Sequence, residues 1–154
     1  MRIISGYLRS RIINVPKSVA NLRPTTDRAR ETLFNLLSTR VEIEGKNILD
    51  LYCGSGSLGI ECLSRGGARC TFVDLYPNTV KKNIEELALG DKSRIVKNDS
   101  VRFLKSLEEN LFDIIFADPP YDYKGYDRLL EETRRLGAAL ILEHSDKFFP
   151  QEKH

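Results

Sequence analysis

An apolar stretch late in the sequence, FDIIFADPPY at residues 112–121, ends in a carboxylate, two prolines and a tyrosine. Proline has no backbone N–H and a nearly fixed φ, so Pro119 and Pro120 predict a rigid turn after a buried strand. That turn would present two fixed acceptors, the Asp118 carboxylate and a backbone carbonyl of Asp118 or Pro119. Acceptors aimed at both N–H bonds of a nucleobase amine localise its lone pair for attack on a methyl group. Tyr121 would offer the base a flat face. The alternative is an ordinary proline-rich turn.

A glycine loop, GSGSLG at residues 54–59, follows an earlier apolar run and matches G-x-G-x-x-G. The match is shared by nicotinamide and flavin enzymes, so by itself it leaves the ligand open. Asp50 precedes the loop, where a carboxylate would repel a pyrophosphate but would suit a ligand that carries a cation. S-adenosylmethionine, a zwitterion with a ribose and an adenine, fits this pattern better than a dinucleotide.

Acidic residues further along the chain fit the other parts of such a ligand. Asp74 lies where a ribose-binding acid belongs, and Asp99 would accept from the adenine amino group, with Ser100 beside it. No metal is expected, because the chain has only two histidines. The predicted cofactor-binding residues are Asp50, Cys53, Gly54, Ser55, Gly56, Asp74, Leu75, Asp99 and Ser100.

Apolar runs typical of buried strands alternate with helical patterns from residue 46 onward. This alternation predicts βαβ units, a parallel sheet with helices on both faces, and a Rossmann-like α/β fold. In such a sheet, ligands bind at the carboxyl ends of the strands, where the strand order reverses. Four strands end in or just before an aspartate, although aspartate is also common there as a helix cap. The predicted strands are 46–53, 68–75, 93–99, 112–118 and 138–144, and the predicted helices between them are 54–66, 77–90, 100–110 and 126–137.

The first forty residues differ in character from the rest. Residues 3–8 and 11–15 predict a small β-hairpin. A helix follows within 22–38, with Thr25 or Thr26 as its cap and with Leu33, Leu36 and Leu37 on one face and Phe34 beside them.

Charge is distributed unevenly along the chain, although the net charge is only +2. Residues 1–40 contain eight Lys+Arg against two Asp+Glu, whereas residues 41–154 contain sixteen against twenty. This basic first quarter indicates an anionic partner such as RNA or DNA, and the alternative is a solvated arginine-rich face. Without an apolar signal core or a membrane-length apolar run, and with three cysteines read as reduced thiols, the chain is expected to be cytoplasmic.

The chain resembles the RsmD-type family of bacterial 16S rRNA guanine-N2 methyltransferases. The resemblance runs in order through MRIISGYLRSR, LRPTTDRARETLFNLL, LDLYCGSGSLGIECLSRGGA, FVD, FADPPY and LILEHS. It implies a methyltransferase fold, S-adenosylmethionine as the methyl donor, one guanine of small-subunit rRNA as the target, and Asp118 to Tyr121 as the catalytic motif. The residues expected to face RNA are Arg2, Arg9, Arg11, Arg23, Thr25, Arg28 and Arg30.

One departure concerns the C-terminal end, where such methyltransferases usually add an antiparallel hairpin after the fifth strand. Here HSDKFFPQEKH follows instead, which predicts an exposed sheet edge and therefore a homodimer or a reduced stability. We expect one methyltransferase domain over residues 1–154, with a basic part at 1–40 and a Rossmann-like core at 41–154. The alternatives are a non-catalytic RNA-binding or ribosome-assembly protein, an amine methyltransferase acting on DNA and, more distantly, a nicotinamide oxidoreductase.

Overall fold

The computed structural model describes residues 1–16, 27–120 and 124–142, and its helices and strands follow the predicted alternation. The predicted caps Thr25 and Thr26 and the C-terminal segment HSDKFFPQEKH lie outside these residues. Every strand and helix predicted from residue 46 onward is present, with ends a few residues shorter. The strands are β1 (Asn47–Leu51), β2 (Arg69–Asp74), β3 (Ser93–Lys97), β4 (Ile114–Ala117) and β5 (Ala139–Leu142), and the helices are α1 (Asp27–Ser38), α2 (Ser57–Ser64), α3 (Asn78–Glu86), α4 (Ser100–Lys105) and α5 (Tyr126–Leu136).

The five described strands form one parallel sheet in the order β3-β2-β1-β4-β5. The order reverses between β1 and β4, where Asp50 is level with Phe116 and Leu51 with Ala117. The turns that follow β1 and β4 therefore lie side by side at the switch point, where open α/β sheets bind their ligands.

Both faces of the sheet carry apolar clusters, as a parallel sheet requires. On one face, Ile48, Phe72 and Phe116 belong to a cluster with residues of α1, α2 and α3. On the other face, Leu49 and Ile115 belong to a cluster with residues of α4 and α5. The α/β class and the double coverage of the sheet are thus confirmed.

The face that helix α1 presents to the core overlaps the predicted one only in part. Arg30, Phe34 and Leu37 are buried, whereas Leu36 is 56% exposed. Phe34 packs against Phe116 of β4, with ring centroids 6.0 Å apart. Of the predicted face, Leu37 is buried and Leu33 is half-buried, so the prediction was wrong for Leu36 alone. Leu36 faces solvent because a buried ion pair of Arg30, described below, turns the side of the helix that carries Arg30 toward the core.

The predicted N-terminal hairpin appears only as one isolated antiparallel bridge between Arg2 and Ile12. Residues between them form turns, and the chain packs tightly on α2 at Gly6. Gly6 has φ +89°, and a Cβ there would lie 1.9 Å from the Ser64 carbonyl oxygen, so this close approach requires glycine. Within the described part of the chain, no helix is long and apolar enough to cross a membrane.

Candidate functional site

Four aspartates lie at the carboxyl edge of the sheet, on four adjacent strands. Asp50 lies within β1, Asp74 ends β2, Asp99 follows β3 by two residues and Asp118 follows β4 directly. The predicted gathering of carboxylates along one edge is therefore present. It surrounds the loop between β1 and α2, which holds the predicted glycine motif.

Asp50 lies beneath that loop rather than on its surface, with only 2% of its area exposed. Its carboxyl group accepts a hydrogen bond from the backbone N–H of Gly59 at 3.0 Å. Burial raises the pKa of Asp50 to about 8; the Gly59 N–H opposes this rise, and the carboxylates of Asp118 and Asp74 add to it. A cation placed in this acidic cluster would favour the ionised form of Asp50.

The glycines of the loop serve two different purposes. Gly54 has φ +55° and its missing side chain leaves open space, since a Cβ there would meet nothing within 4 Å. Gly59 instead packs against β2, where a Cβ would come within 2.5 Å of the Cys70 sulfur and the Phe72 ring. Gly54 thus leaves the backbone accessible to a ligand, while Gly59 sets the distance between helix and strand.

Asp74 organises the adjoining turn through both of its carboxylate oxygens. Oδ2 accepts from the Gly54 N–H at 2.9 Å, and Oδ1 accepts from the Tyr76 N–H at 2.8 Å. Each oxygen retains acceptor capacity for a further donor such as a ribose hydroxyl. Leu75 and Tyr76 are 52% and 79% exposed beside it and form an apolar rim for a flat ring.

Asp99 acts as the N-cap of α4, because its side chain accepts from the Arg102 N–H at 2.9 Å. This is the helix-capping alternative considered for strand-end aspartates, and a role toward adenine stays a prediction. Ser100 is buried, and its hydroxyl accepts from the Tyr52 N–H at 3.3 Å. Ser100 therefore holds the chain just before the glycine loop.

The aspartate-proline turn after β4 is described through Pro120, and Tyr121 lies outside the described residues. The Asp118 side chain is half-buried, Pro119 is buried and Pro120 is exposed. Because β4 neighbours β1, this turn adjoins the glycine loop. A substrate group held at Asp118 would therefore lie next to a ligand held by that loop.

The basic residues predicted to face RNA differ in their exposure to solvent. Arg2, Arg9, Arg11 and Arg28 are exposed, and Arg23 and Thr25 lie outside the described residues. Arg30 is fully buried, so its assignment to an RNA surface was wrong. Its guanidinium bonds the carboxylates of Asp27 and Glu61 and the carbonyl oxygen of Arg2. A guanidinium enclosed in this way tethers the helix and cannot reach a phosphate.

The N-terminal turn lies at the opposite edge of the sheet from the aspartates. The Tyr7 N–H donates to the Ser64 carbonyl at the last residue of α2, and Arg11 donates to the Glu86 carbonyl at the last residue of α3. Both helices begin at the carboxyl edge, so their last residues mark the far edge. Any RNA contact of Arg9 and Arg11 would therefore be remote from the aspartates.

Among the buried polar residues that were not identified from the sequence, Glu61 and Asn83 join distant parts of the chain. Glu61, beside Ile60 and Cys62 in α2, is buried and accepts from the backbone N–H groups of Ile4 and Ser5 at 2.8 and 3.1 Å. Asn83, on the buried face of α3, bonds both the N-terminal segment and the glycine loop. A polar side chain on an apolar helix face was the available signal in each case.

The three cysteines are buried and free, and burial raises the pKa of each thiol above its ordinary range. They are thus poor nucleophiles. Within the described residues, no group of three or more His, Cys, Asp or Glu side chains could hold a metal ion.

Comparisons with known proteins identify relatives along nearly the whole chain. Residues 1–148 match the family described as Conserved hypothetical protein 95. The ribosomal RNA small subunit methyltransferase D of Buchnera aphidicola subsp. Acyrthosiphon pisum is 43% identical over 156 residues, covering 98% of this chain and 78% of that protein. The protein of the same name from Haemophilus influenzae is 40% identical over 159 residues, covering 97% and 81%.

A solved structure agrees with these relatives. The yhhF protein of Escherichia coli, described as a candidate methyltransferase, superposes with a TM-score of 0.82 at 32% identity, covering 98% of this chain and 84% of that one. The five-stranded parallel sheet is thus a Rossmann-like methyltransferase fold. The chain belongs to the family of the ribosomal RNA small subunit methyltransferase D proteins.

Proposed function

We propose that this protein transfers a methyl group from S-adenosylmethionine to the exocyclic N2 amine of a guanine in 16S rRNA. The observation that carries the proposal is the position of the Asp118 turn directly beside the glycine loop, at the point where the strand order reverses. Membership of a family whose named members are small-subunit rRNA methyltransferases supports the substrate.

The residues of the glycine loop fit a ligand that combines a cation, a ribose and a flat base. Open space at Gly54 permits close approach to the backbone. The carboxylate of Asp74 supplies negative potential for the cationic part and retains acceptor capacity for ribose hydroxyls. Asp50 adds to this potential once a bound cation has lowered its pKa and ionised it. Leu75 offers an exposed apolar surface to the adenine. Cys53 is buried and would contact the ligand through its backbone only.

In this proposal, the residues of the chain itself act by positioning the amine that accepts the methyl group. Bound S-adenosylmethionine supplies an electrophilic methyl group. The carboxylate of Asp118 and a backbone carbonyl of the turn each accept a hydrogen bond from one N–H group of the amine. These two hydrogen bonds orient the lone pair of the amine nitrogen toward the methyl group. Pro119 and Pro120 fix these acceptors and remove competing N–H donors. After transfer, the amine loses one proton to Asp118 or to water. Tyr121 is assigned to stack on the base.

The same proposal covers the extent of the domain, its location in the cell, its contacts with RNA and its association with a second copy. Residues 1–154 act as one methyltransferase domain, and an rRNA substrate puts the reaction in the cytoplasm. The exposed side chains of Arg2, Arg9, Arg11 and Arg28 supply phosphate contacts. Among the described residues, strand β5 is the last of the sheet and its residues are half-buried. Pairing of two copies along it would give a homodimer, which sedimentation at several concentrations tests.

A methyl-transfer assay tests the proposal directly. Labelled S-adenosylmethionine is offered together with unmodified small ribosomal subunits, naked 16S rRNA or DNA. We expect label in the rRNA, located on guanine N2 by nucleoside analysis. Label in DNA alone would show that the substrate is DNA and not rRNA. Cofactor binding without any transfer would favour an RNA-binding or assembly protein.

The control for this assay is a pair of matched variants. Asp118→Asn keeps the shape of the side chain but replaces one acceptor by a donor, so transfer should fall by at least about a hundredfold while the cofactor still binds. Asp91→Asn makes the same change at an exposed residue of the turn Gly90–Lys92 and should leave transfer unchanged. Equal activity of the two variants would reject the role of Asp118.

A further inference from the structure

Asn83 links two parts of the chain that are far apart in sequence. It lies on α3 with none of its surface exposed. Its side-chain oxygen accepts from the backbone N–H and from the side-chain amide of Asn14, both at 2.9 Å. Its side-chain nitrogen donates to the carbonyl oxygens of Asn14 at 3.0 Å and of Ser55 at 2.9 Å. Ser55 belongs to the glycine loop, and Asn14 belongs to the N-terminal segment.

The chemistry of these four contacts fixes the orientation of the amide. Two partners are N–H donors and two are carbonyl acceptors, so only one orientation of the Asn83 side chain satisfies all of them. Both N–H bonds of the amide are used, and its oxygen accepts twice. Such a fully satisfied buried group favours one arrangement of the backbone around it.

The Ser55 contact acts where the loop is otherwise open to solvent. Gly54, just before Ser55, has φ +55° and open space beside its Cα. On the outer side, the Gly54 N–H is held by Asp74 at 2.9 Å. On the inner side, the Ser55 carbonyl is held by Asn83. These two contacts from different elements therefore define the path of the loop between them.

We propose that Asn83 is a positioning residue for the cofactor, which holds the glycine loop in its binding conformation by anchoring Ser55 to the N-terminal segment at Asn14. The inference rests on the proposed function, since the loop is taken to bind S-adenosylmethionine. Asn83 does not itself contact the ligand. Loss of the Asn83 side chain therefore weakens cofactor binding by releasing the loop. In the intact protein, the N-terminal segment supports the cofactor site through Asn14.

Calorimetric titration with S-adenosylmethionine and with S-adenosylhomocysteine tests this inference without relying on turnover. Asn83→Asp keeps the size of the side chain but replaces both N–H donors by a carboxylate oxygen that faces two carbonyls. We expect the Kd for both ligands to rise by about tenfold or more, because the loop must be reordered on binding. At saturating cofactor, kcat should stay within about twofold of the wild type, since the methyl acceptor is held by the other turn.

A matched control separates loop positioning from general loss of a buried polar contact. Thr133 is buried in α5 and donates only to carbonyl oxygens of its own helix. Thr133→Val should leave both Kd values unchanged. An unchanged Kd in Asn83→Asp, or an equal rise in Thr133→Val, would overturn the inference. If wild-type protein gave no binding heat, the cofactor assignment itself would fail and the inference with it.

Hydrogen exchange of the wild-type protein gives a second measurement that needs no variant. The backbone N–H of Asn14 donates to Asn83, and the N–H of Gly56 donates to the Cys53 carbonyl within the loop. If Asn83 joins the two segments, S-adenosylmethionine should slow exchange at both amides. Slower exchange at Gly56 with no change at Asn14 would contradict the anchoring, even if Asn83→Asp did not fold.

Discussion

The buried carboxyl group of Asp50 accepts a hydrogen bond from the backbone N–H of Gly59 at 3.0 Å. This contact joins strand β1 to the first turn of helix α2, directly beneath the loop that connects them. Because the same group lies among the carboxylates of Asp118 and Asp74, its protonation state links the stability of the loop to pH.

We predict that Asp50 makes the free energy of unfolding fall as pH rises from about 4 to about 8. Burial raises its pKa from 3.8 to about 8, so in this window the folded protein holds a proton that the unfolded chain has released. The slope from this one group approaches about 1.4 kcal/mol per pH unit. Urea denaturation across the window should show a shallower dependence for Asp50→Asn, which still accepts from Gly59. An unchanged slope would reject the assignment.

Cofactor binding should release protons near neutral pH. A cationic ligand beside Asp50 stabilises its ionised form, so binding lowers the pKa of this group and drives out its proton. Calorimetry in two buffers with different ionisation enthalpies should therefore give different apparent binding enthalpies for the wild type. The difference should shrink in Asp50→Asn, and a wild type without any buffer dependence would contradict the prediction.

Arg30 and Arg28 should behave oppositely although both lie in the first turns of α1. Arg30 forms a buried ion pair with Glu61, at 3.5 Å, and replacing it by Leu leaves Arg65 as the only cation paired with this carboxylate among the described residues. We expect Arg30→Leu to lower stability by about 3 kcal/mol. Arg28 is exposed, so Arg28→Gln should change stability by less than about 0.5 kcal/mol and should weaken RNA binding instead. Denaturation and filter binding of both variants measure the contrast.

Two glycines of the loop should separate folding from binding. In Gly59→Ala, the new methyl group would clash with Cys70 and Phe72, so we expect a loss of about 1–3 kcal/mol in stability. In Gly54→Ala, it would enter open space, and positive φ alone costs roughly 1 kcal/mol. Because that space is assigned to the cofactor, Gly54→Ala should lose affinity out of proportion to its stability. Calorimetry and thermal unfolding compare the two variants.

The local pattern of apolar and polar residues in the sequence was sufficient to predict most of the fold. Most strands contain a short apolar run, such as Ile114–Ala117 in β4 and Ala139–Leu142 in β5, and the alternation of such runs with helical patterns is typical of α/β folds. The order of the strands placed four aspartates at one edge, as the sheet geometry requires. The aspartate-proline turn after β4 and the glycine loop were found in this way.

The interior polar contacts could not be predicted in the same way. Arg30 has the sequence character of a surface residue, yet Glu61 lies thirty-one positions later and draws it into the core. The orientation of α1, and hence the exposure of Leu36, depends on that long-range pair. Asn83 likewise gains its partners only when the N-terminal segment and the glycine loop fold against α3. Periodicity can mark a polar residue on an apolar helix face, but it does not identify the partner of that residue.

Asp99 allows the capping and cofactor roles of one carboxylate to be separated. Its side chain accepts from the Arg102 N–H at the start of α4, and serine caps helices about as well as aspartate. Asp99→Ala should therefore cost about 1 kcal/mol of stability, whereas Asp99→Ser should stay close to the wild type. If the carboxylate also accepts from the adenine amino group, both variants should weaken S-adenosylmethionine binding by a similar factor. Wild-type affinity in Asp99→Ser would instead limit Asp99 to capping, because a group needed by the ligand cannot be removed without loss of affinity.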